Sequence, residues 1–81
     1  MLPQFTLYGR SYCHLCDEML AALEVLCAEH PFAVTMVDVD TDPTLEMRYN
    51  VLVPVLVANG TELCHHFLDV PKVREYLTQF R

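Results

Sequence analysis

Cys13 and Cys16 are the residues in this chain best suited to chemistry, because two thiols three positions apart can exchange a disulfide between them. They follow a short apolar run, Phe5-Thr6-Leu7-Tyr8, and open a long segment of helical periodicity. A Cys-x-x-Cys at a strand-to-helix junction sits at the positive end of the helix, where backbone N–H groups and the macrodipole favour thiolate over thiol. The thiolate is the attacking species in thiol–disulfide exchange. Cys13, at or next to the helix N-cap, is the candidate nucleophile. Cys16 lies on the apolar stripe, which makes it the more buried thiol and places it to resolve a mixed disulfide. Side chains three apart on a helix have Cβ atoms roughly 5–6 Å apart. A disulfide wants about 3.5–4.5 Å, so slight tightening of the first turn closes the bond.

The other reactive side chains carry weaker signals. Cys27 falls on the same apolar stripe and reads as a small buried hydrophobe. Cys64-His65-His66 has the residue types of a metal site, but neighbouring strand residues point to opposite faces. Cys64 and His66 can share a face; His65 cannot. With Cys13 and Cys16 they would make four zinc ligands, yet the expected fold puts them at a different part of the sheet, and no metal site is assigned. A protonated His14 would stabilise a thiolate beside it, but the same helix end disfavours its protonation, so it receives no catalytic role. Tyr12 is either a cover over the thiols or a surface aromatic. Arg10, Arg48 and Tyr49 are candidates for holding an anionic thiol substrate, since arginine matches carboxylates bidentately.

The elements that must position the thiols follow from periodicity and breakers. Phe5–Tyr8 reads as a first strand, ended by Gly9 and the polar Arg10-Ser11. From His14 to about His30, Cys16, Met19, Leu20, Leu23, Leu26 and Cys27 form a core-facing stripe, and Pro31 stops the segment. Phe32–Val39 is rich in β-branched residues and reads as a largely buried second strand. Asp42 is an N-cap with Pro43 at the first helical position, starting a short helix that runs to about Tyr49. Pro54 cannot donate to a ladder and should begin a strand. Asn59-Gly60 between apolar runs is a hairpin signal that pairs Val55–Ala58 with Leu63–Phe67. Asp69-Val70-Pro71 starts a last helix whose inner stripe is Val70, Val73, Leu77 and Phe80. The order is β-α-β-α-β-β-α, with a parallel crossover between the first two strands. The expectation is an α/β fold whose four-stranded mixed sheet is flanked by three helices, formed by residues 1–81 as a single domain.

Composition bounds the partners. Eleven acidic residues against five basic ones give a formal charge of −6. With no Lys/Arg cluster, this argues against nucleic acid and anionic membranes. Four cysteines in 81 residues fall short of a disulfide scaffold. Neither a basic n-region nor an apolar h-region follows Met1, and no apolar stretch nears the ~20 residues of a membrane span. The expectation is a cytoplasmic monomer with reduced thiols, where a Cys-x-x-Cys is catalytic or metal-binding rather than structural.

With Cys13-His14-Leu15-Cys16 after the first strand and Val53-Pro54 before the third, the chain resembles the thioredoxin superfamily, in particular the glutaredoxins and glutaredoxin-like redoxins. The resemblance covers nearly the whole chain. It implies a thioredoxin-like, glutaredoxin-type fold in which Pro54 is cis and faces the active-site disulfide, with the Val53 backbone bonding the bound thiol substrate. Two departures stand out. His14-Leu15 replaces the usual Pro-Tyr between the cysteines. His65-His66-Phe67-Leu68-Asp69 lacks the glycine pair that approaches glutathione, which leaves Asp69 as the acidic contact and Arg10 as the basic one.

The resemblance implies a thiol–disulfide oxidoreductase that holds no cofactor and acts on protein or low-molecular-weight disulfides through Cys13 and Cys16. Arg10, Tyr12, Val53, Pro54 and Asp69 would contact substrate. Glutathione, as reducing cosubstrate, or a thioredoxin-reductase-like flavoprotein would regenerate the dithiol. Two alternatives stay open: a metal or iron–sulfur binding module, and a redoxin-fold interaction protein without turnover.

Overall fold

The computed structural model describes residues 2–79; Phe80, expected on the inner stripe of the last helix, lies outside them. The elements are β1 (Gln4–Gly9), α1 (His14–Glu29), β2 (Ala33–Asp38), α2 (Pro43–Tyr49), β3 (Val55–Ala58), β4 (Thr61–His65) and α3 (Val70–Gln79). Short 3-10 turns at Val39–Thr41 and Asn50–Leu52 flank α2. The strand order is β2-β1-β3-β4. β1 pairs in parallel with β2 and antiparallel with β3, and β3 pairs antiparallel with β4. This is the mixed four-stranded sheet and element order that the sequence reading expects.

Local chemistry accounts for the boundaries. The Asp42 carboxylate accepts the Thr44 N–H at 2.9 Å, and Pro43, with no N–H to satisfy, opens α2. The His30 N–H closes α1 onto the Leu26 carbonyl at 3.0 Å, immediately before Pro31. Asn59 and Gly60 both have positive φ, 52° and 77°, which a two-residue hairpin loop needs to match the strand twist.

Alternation along the central strands builds two cores. Phe5, Leu7, Leu56 and Ala58 face α1 and α3, where Met19, Leu23, Leu26, Val73 and Leu77 are buried. Tyr8, Val55 and Val57 face the opposite side, against Val39 of the preceding 3-10 turn and Leu45 and Tyr49 of α2. Tyr49, considered above for substrate, is buried there and stacks on Tyr8 with ring centroids 4.6 Å apart.

Two expectations need correction. β2 is not largely buried: it is an edge strand, and Thr35 and Met36 are exposed because the helices cover the sheet's centre and leave this flank open. The burial anticipated for that segment sits at its ends, in Phe32 and Val39. β4 runs Thr61–His65 rather than Leu63–Phe67. The two-residue loop obliges Thr61 to pair with Ala58, and a positive φ of 63° at His66 ends the strand. The β3–β4 register also slips beside Leu56 and Val57, so that Leu63 and Cys64 both join the core on the α1 and α3 side.

Leu23, 1 % exposed, and Met36, 50 % exposed, test this layout. Leu23→Ala should cost about 2–5 kcal/mol in a urea titration. Met36→Ala should stay within about 0.5 kcal/mol of wild type; a core-sized loss there would mean β2 is covered.

Candidate functional site

Cys13 is the N-cap of α1. Its backbone is still extended, at φ −101°, and its sulfur accepts the Cys16 N–H at 3.2 Å. A sulfur in place of the usual hydroxyl or carboxylate therefore takes up one of the helix's unpaired donors. Cys13 and Cys16 are joined as a disulfide, with Cα atoms 5.1 Å apart, inside the range of about 4.4–6.8 Å that such bonds span. Cys13 is half-buried and Cys16 is only 3 % exposed. A disulfide partner from solution can meet the first sulfur and not the second.

The pair is seated on the end of β1. A Cβ at Gly9 would lie 3.0 Å from the Cys16 sulfur and 3.4 Å from its Cβ, so any larger residue would make the disulfide give way by a few tenths of an ångström. In the β1–β3 register Tyr8 faces Val55; one residue further, Pro54 comes opposite Gly9. The proline thus reaches the same end of the sheet as the disulfide. The Val53–Pro54 peptide is cis, as the resemblance implied.

The other residues expected at the site divide. Tyr12 is fully exposed at φ 59° and does not cover the thiols. Arg10 is engaged by its neighbours: one guanidinium nitrogen is 3.2 Å from both the carbonyl and the side-chain oxygen of Asn50, and 3.7 Å from Asp40. It ties the end of β1 to the turns on either side of α2. Asp69 caps α3, its carboxylate accepting the Lys72 N–H at 3.1 Å. His14 is exposed and lies 3.6 Å from Glu18, one turn on. Arg48 lies over the Tyr49 ring, 5.3 Å from its centroid.

Cys64, His65 and His66 do not form a ligand set, although the His65 and His66 rings meet edge to face with centroids 4.9 Å apart. Cys64 packs against the core, and burial pushes its thiol pKa up, with Asp69 and Glu62 acting in the same direction; the Asp69 N–H and Lys72 oppose this in part. His65 Nδ1 is 2.7 Å from the Glu62 carboxylate, whereas His66 Nε2 is 2.7 Å from the Val51 carbonyl. Among the described residues no three His, Cys, Asp or Glu side chains are grouped to share a metal ion. Cys27, half-buried, donates to the Phe32 carbonyl at 3.3 Å.

Sequence reasoning missed Asn50, and it missed the contacts of Gly9 and His66. Gly9 was legible only as a strand terminator; its contact with Cys16 comes from the crossing of β1 and α1. Nothing local marks Asn50 or His66, because their partners lie 40 and 15 residues away. Beside the disulfide, Leu15, Met19, Ala22, Phe67 and Leu68 line a shallow apolar groove with Glu18 and His66 at its border.

Gly9→Ala should destabilise the oxidised protein by about 1–3 kcal/mol and the reduced protein by less, since a free Cys16 sulfur can rotate away. Denaturant titrations in both redox states would show it, and equal losses would discount the sulfur contact. In reduced protein, alkylation mapped by mass spectrometry from pH 7 to 10 should modify Cys13 first. The Cys64 thiol should lag, reacting only above the ~8.5 of an ordinary cysteine, because burial favours its neutral form.

Family and structure comparisons agree with this arrangement. The model of the glutaredoxin-like domain (DUF836) matches residues 4–78. No curated protein matches the chain. The solution structure of protein Ne2328 from Nitrosomonas europaea is similar at 40 % identity and TM-score 0.87, covering 95 % of this chain and 93 % of that one. An X-ray structure of a protein from X. campestris (XcR50) is similar at 38 % identity and TM-score 0.71, covering 95 % and 99 %. Thioredoxin 1 from Thermosipho africanus, at 15 % identity and TM-score 0.61 over 94 % and 96 %, shares the fold. With a family model matched from β1 into α3 on a four-stranded mixed sheet, this chain belongs to the glutaredoxin-like domain family and has the thioredoxin fold.

Proposed function

We propose that the chain is a dithiol thiol–disulfide oxidoreductase acting on protein disulfides. The observation that carries the reading is the Cys13 sulfur: it caps α1, accepts the Cys16 N–H, and is the more accessible member of a bonded pair. In the reduced protein the same N–H would stabilise a Cys13 thiolate, and charge on sulfur strengthens such a bond.

The exchange runs in two displacements. The Cys13 thiolate attacks one sulfur of a substrate disulfide; a Cys13–substrate bond forms, the substrate bond breaks, and the other substrate sulfur leaves as thiolate. Cys16, deprotonated, then attacks the Cys13 sulfur and expels the remaining substrate thiolate. Two electrons pass to the substrate, and the protein is left with the Cys13–Cys16 disulfide. Buried Cys16 suits the second step, since the Cys13 sulfur is brought to it by the helix turn. The Val53 backbone beside Pro54 receives the substrate chain.

Two features favour protein disulfides over glutathione. The groove beside Leu15 is apolar, and Phe67 stands 70 % exposed at its margin, a surface suited to an apolar side chain next to a substrate cysteine. The contacts expected for glutathione are depleted: Arg10 is tied to Asp40 and Asn50, and Phe67-Leu68 stands where backbone donors would meet the ligand. Each hydrogen bond lost to a charged carboxylate is worth roughly 1.5–3 kcal/mol, about ten- to a hundredfold in affinity. Recycling by a thioredoxin-reductase-like flavoprotein fits this site better than recycling by glutathione alone.

Three assays on the full chain test the reading. Cys13→Ser should abolish exchange with a protein disulfide, and Cys16→Ser should accumulate a covalent Cys13–substrate species visible by mass. Full turnover by Cys16→Ser would replace the two-step route with a monothiol one. Reduction of the oxidised protein by glutathione should be slow and weakly saturating beside that by thioredoxin reductase.

A further inference from the structure

His66 holds a backbone conformation, φ 63°, that residues with a Cβ seldom adopt. Such a conformation persists where its surroundings enforce it. Three hydrogen bonds do so here. The His66 N–H donates to the Pro54 carbonyl at 2.9 Å, and the Phe67 N–H donates to the His65 carbonyl at 2.7 Å, closing a tight turn around His66. The ring then reaches across to the Val51 carbonyl, 2.7 Å from Nε2. A carbonyl oxygen only accepts, so Nε2 carries a proton in this contact.

Two of these bonds land on either side of a two-residue segment. Val51 and Pro54 flank the Leu52-Val53 segment that leads into β3, and His66 grips both flanks from the β4–α3 turn. The same His66 borders the groove beside Leu15. The clamp is therefore built across the stretch that, in the exchange reading above, docks the substrate chain.

We propose that His66 is a positioning residue for disulfide exchange, holding the Val51–Pro54 backbone in its docking conformation before substrate arrives. This rests on the exchange reading, in which the Val53 backbone takes up substrate. Ordering the segment in advance removes that cost from binding. The clamp is present before and after sulfur transfer, so its loss raises KM and leaves kcat nearly unchanged.

Side-chain geometry makes the idea testable with substitutions that separate reach from backbone strain. Glutamine places an amide nitrogen near the position of Nε2 and can donate to Val51. Asparagine reaches only as far as Nδ1 but tolerates positive φ. Glycine relieves the backbone and removes the ring's bond to Val51, keeping only the N–H bond to Pro54. With a peptide disulfide as substrate, His66→Gly and His66→Asn should each raise KM about three- to tenfold, the effect of one hydrogen bond, with kcat within about twofold of wild type. His66→Gln should keep the wild-type KM. Amide order parameters of Leu52 and Val53 should fall in the Gly and Asn variants and not in the Gln variant, while thermal midpoints show that all remain folded. In wild-type protein, nitrogen NMR should find the proton of neutral His66 on Nε2.

An Nδ1–H tautomer, or an unchanged KM in His66→Gly, would overturn the clamp's role while wild-type exchange continued. A Gln variant that behaves like the Gly variant would do the same. Wild-type protein inactive in exchange would overturn the exchange reading and, with it, the part given to His66.

Discussion

A hydrogen bond from the Cys16 N–H to the Cys13 sulfur, 3.2 Å long, decides what the rest of this small fold must arrange. It exists only if α1 begins at that residue, with the chain still extended at Cys13 and helical from His14. A thiol elsewhere on the helix would find its neighbouring amides already paired to carbonyls. The helix start in turn needs a rigid strand ending a few residues earlier. β1 supplies it as a central strand, bonded to β2 on one side and β3 on the other.

The packing follows from that demand. Two apolar faces of β1 and β3 are covered by different helices, which anchors the central pair from both sides. Cost is concentrated where helix and strand approach closest. At Gly9 a side chain would crowd the Cys16 sulfur, and the conformational freedom of glycine is accepted at a strand's end, where it weakens the sheet least. Arg10, the next residue, bonds Asn50 and faces Asp40, joining the loops around α2 to the same end of the sheet. The site is held by contacts among segments far apart in the chain.

The four cysteines sit in four different surroundings. Cys13 is reachable and sits at a helix terminus; Cys16 is buried directly beneath it. Cys64 is kept as a neutral thiol by burial and nearby carboxylates, and Cys27 spends its proton on the Phe32 carbonyl. The chain carries a net acidic charge, and an apolar groove with Phe67 among its lining residues lies on the surface.

The element order, the helix caps at Cys13 and Asp42, the Asn59-Gly60 turn and the Cys13–Cys16 pair were legible in the sequence, because each depends on residues within a few positions of one another. So was the difference in burial between Cys13 and Cys16, which follows from helical periodicity. Burial of β2 was misjudged, since β-branched composition does not distinguish an edge strand from a central one; strand order decides that. The end of β4 was misplaced for a similar reason: the turn geometry and the positive φ of His66 override the apolar run that continues to Leu68. Tertiary structure alone decided the close pass of Gly9 beneath Cys16, the engagement of Arg10 by Asn50 and Asp40, and the reach of His66 to Val51. Periodicity encodes which face a residue presents, whereas these contacts depend on where two distant backbones cross, and that is set by the packing of the whole sheet.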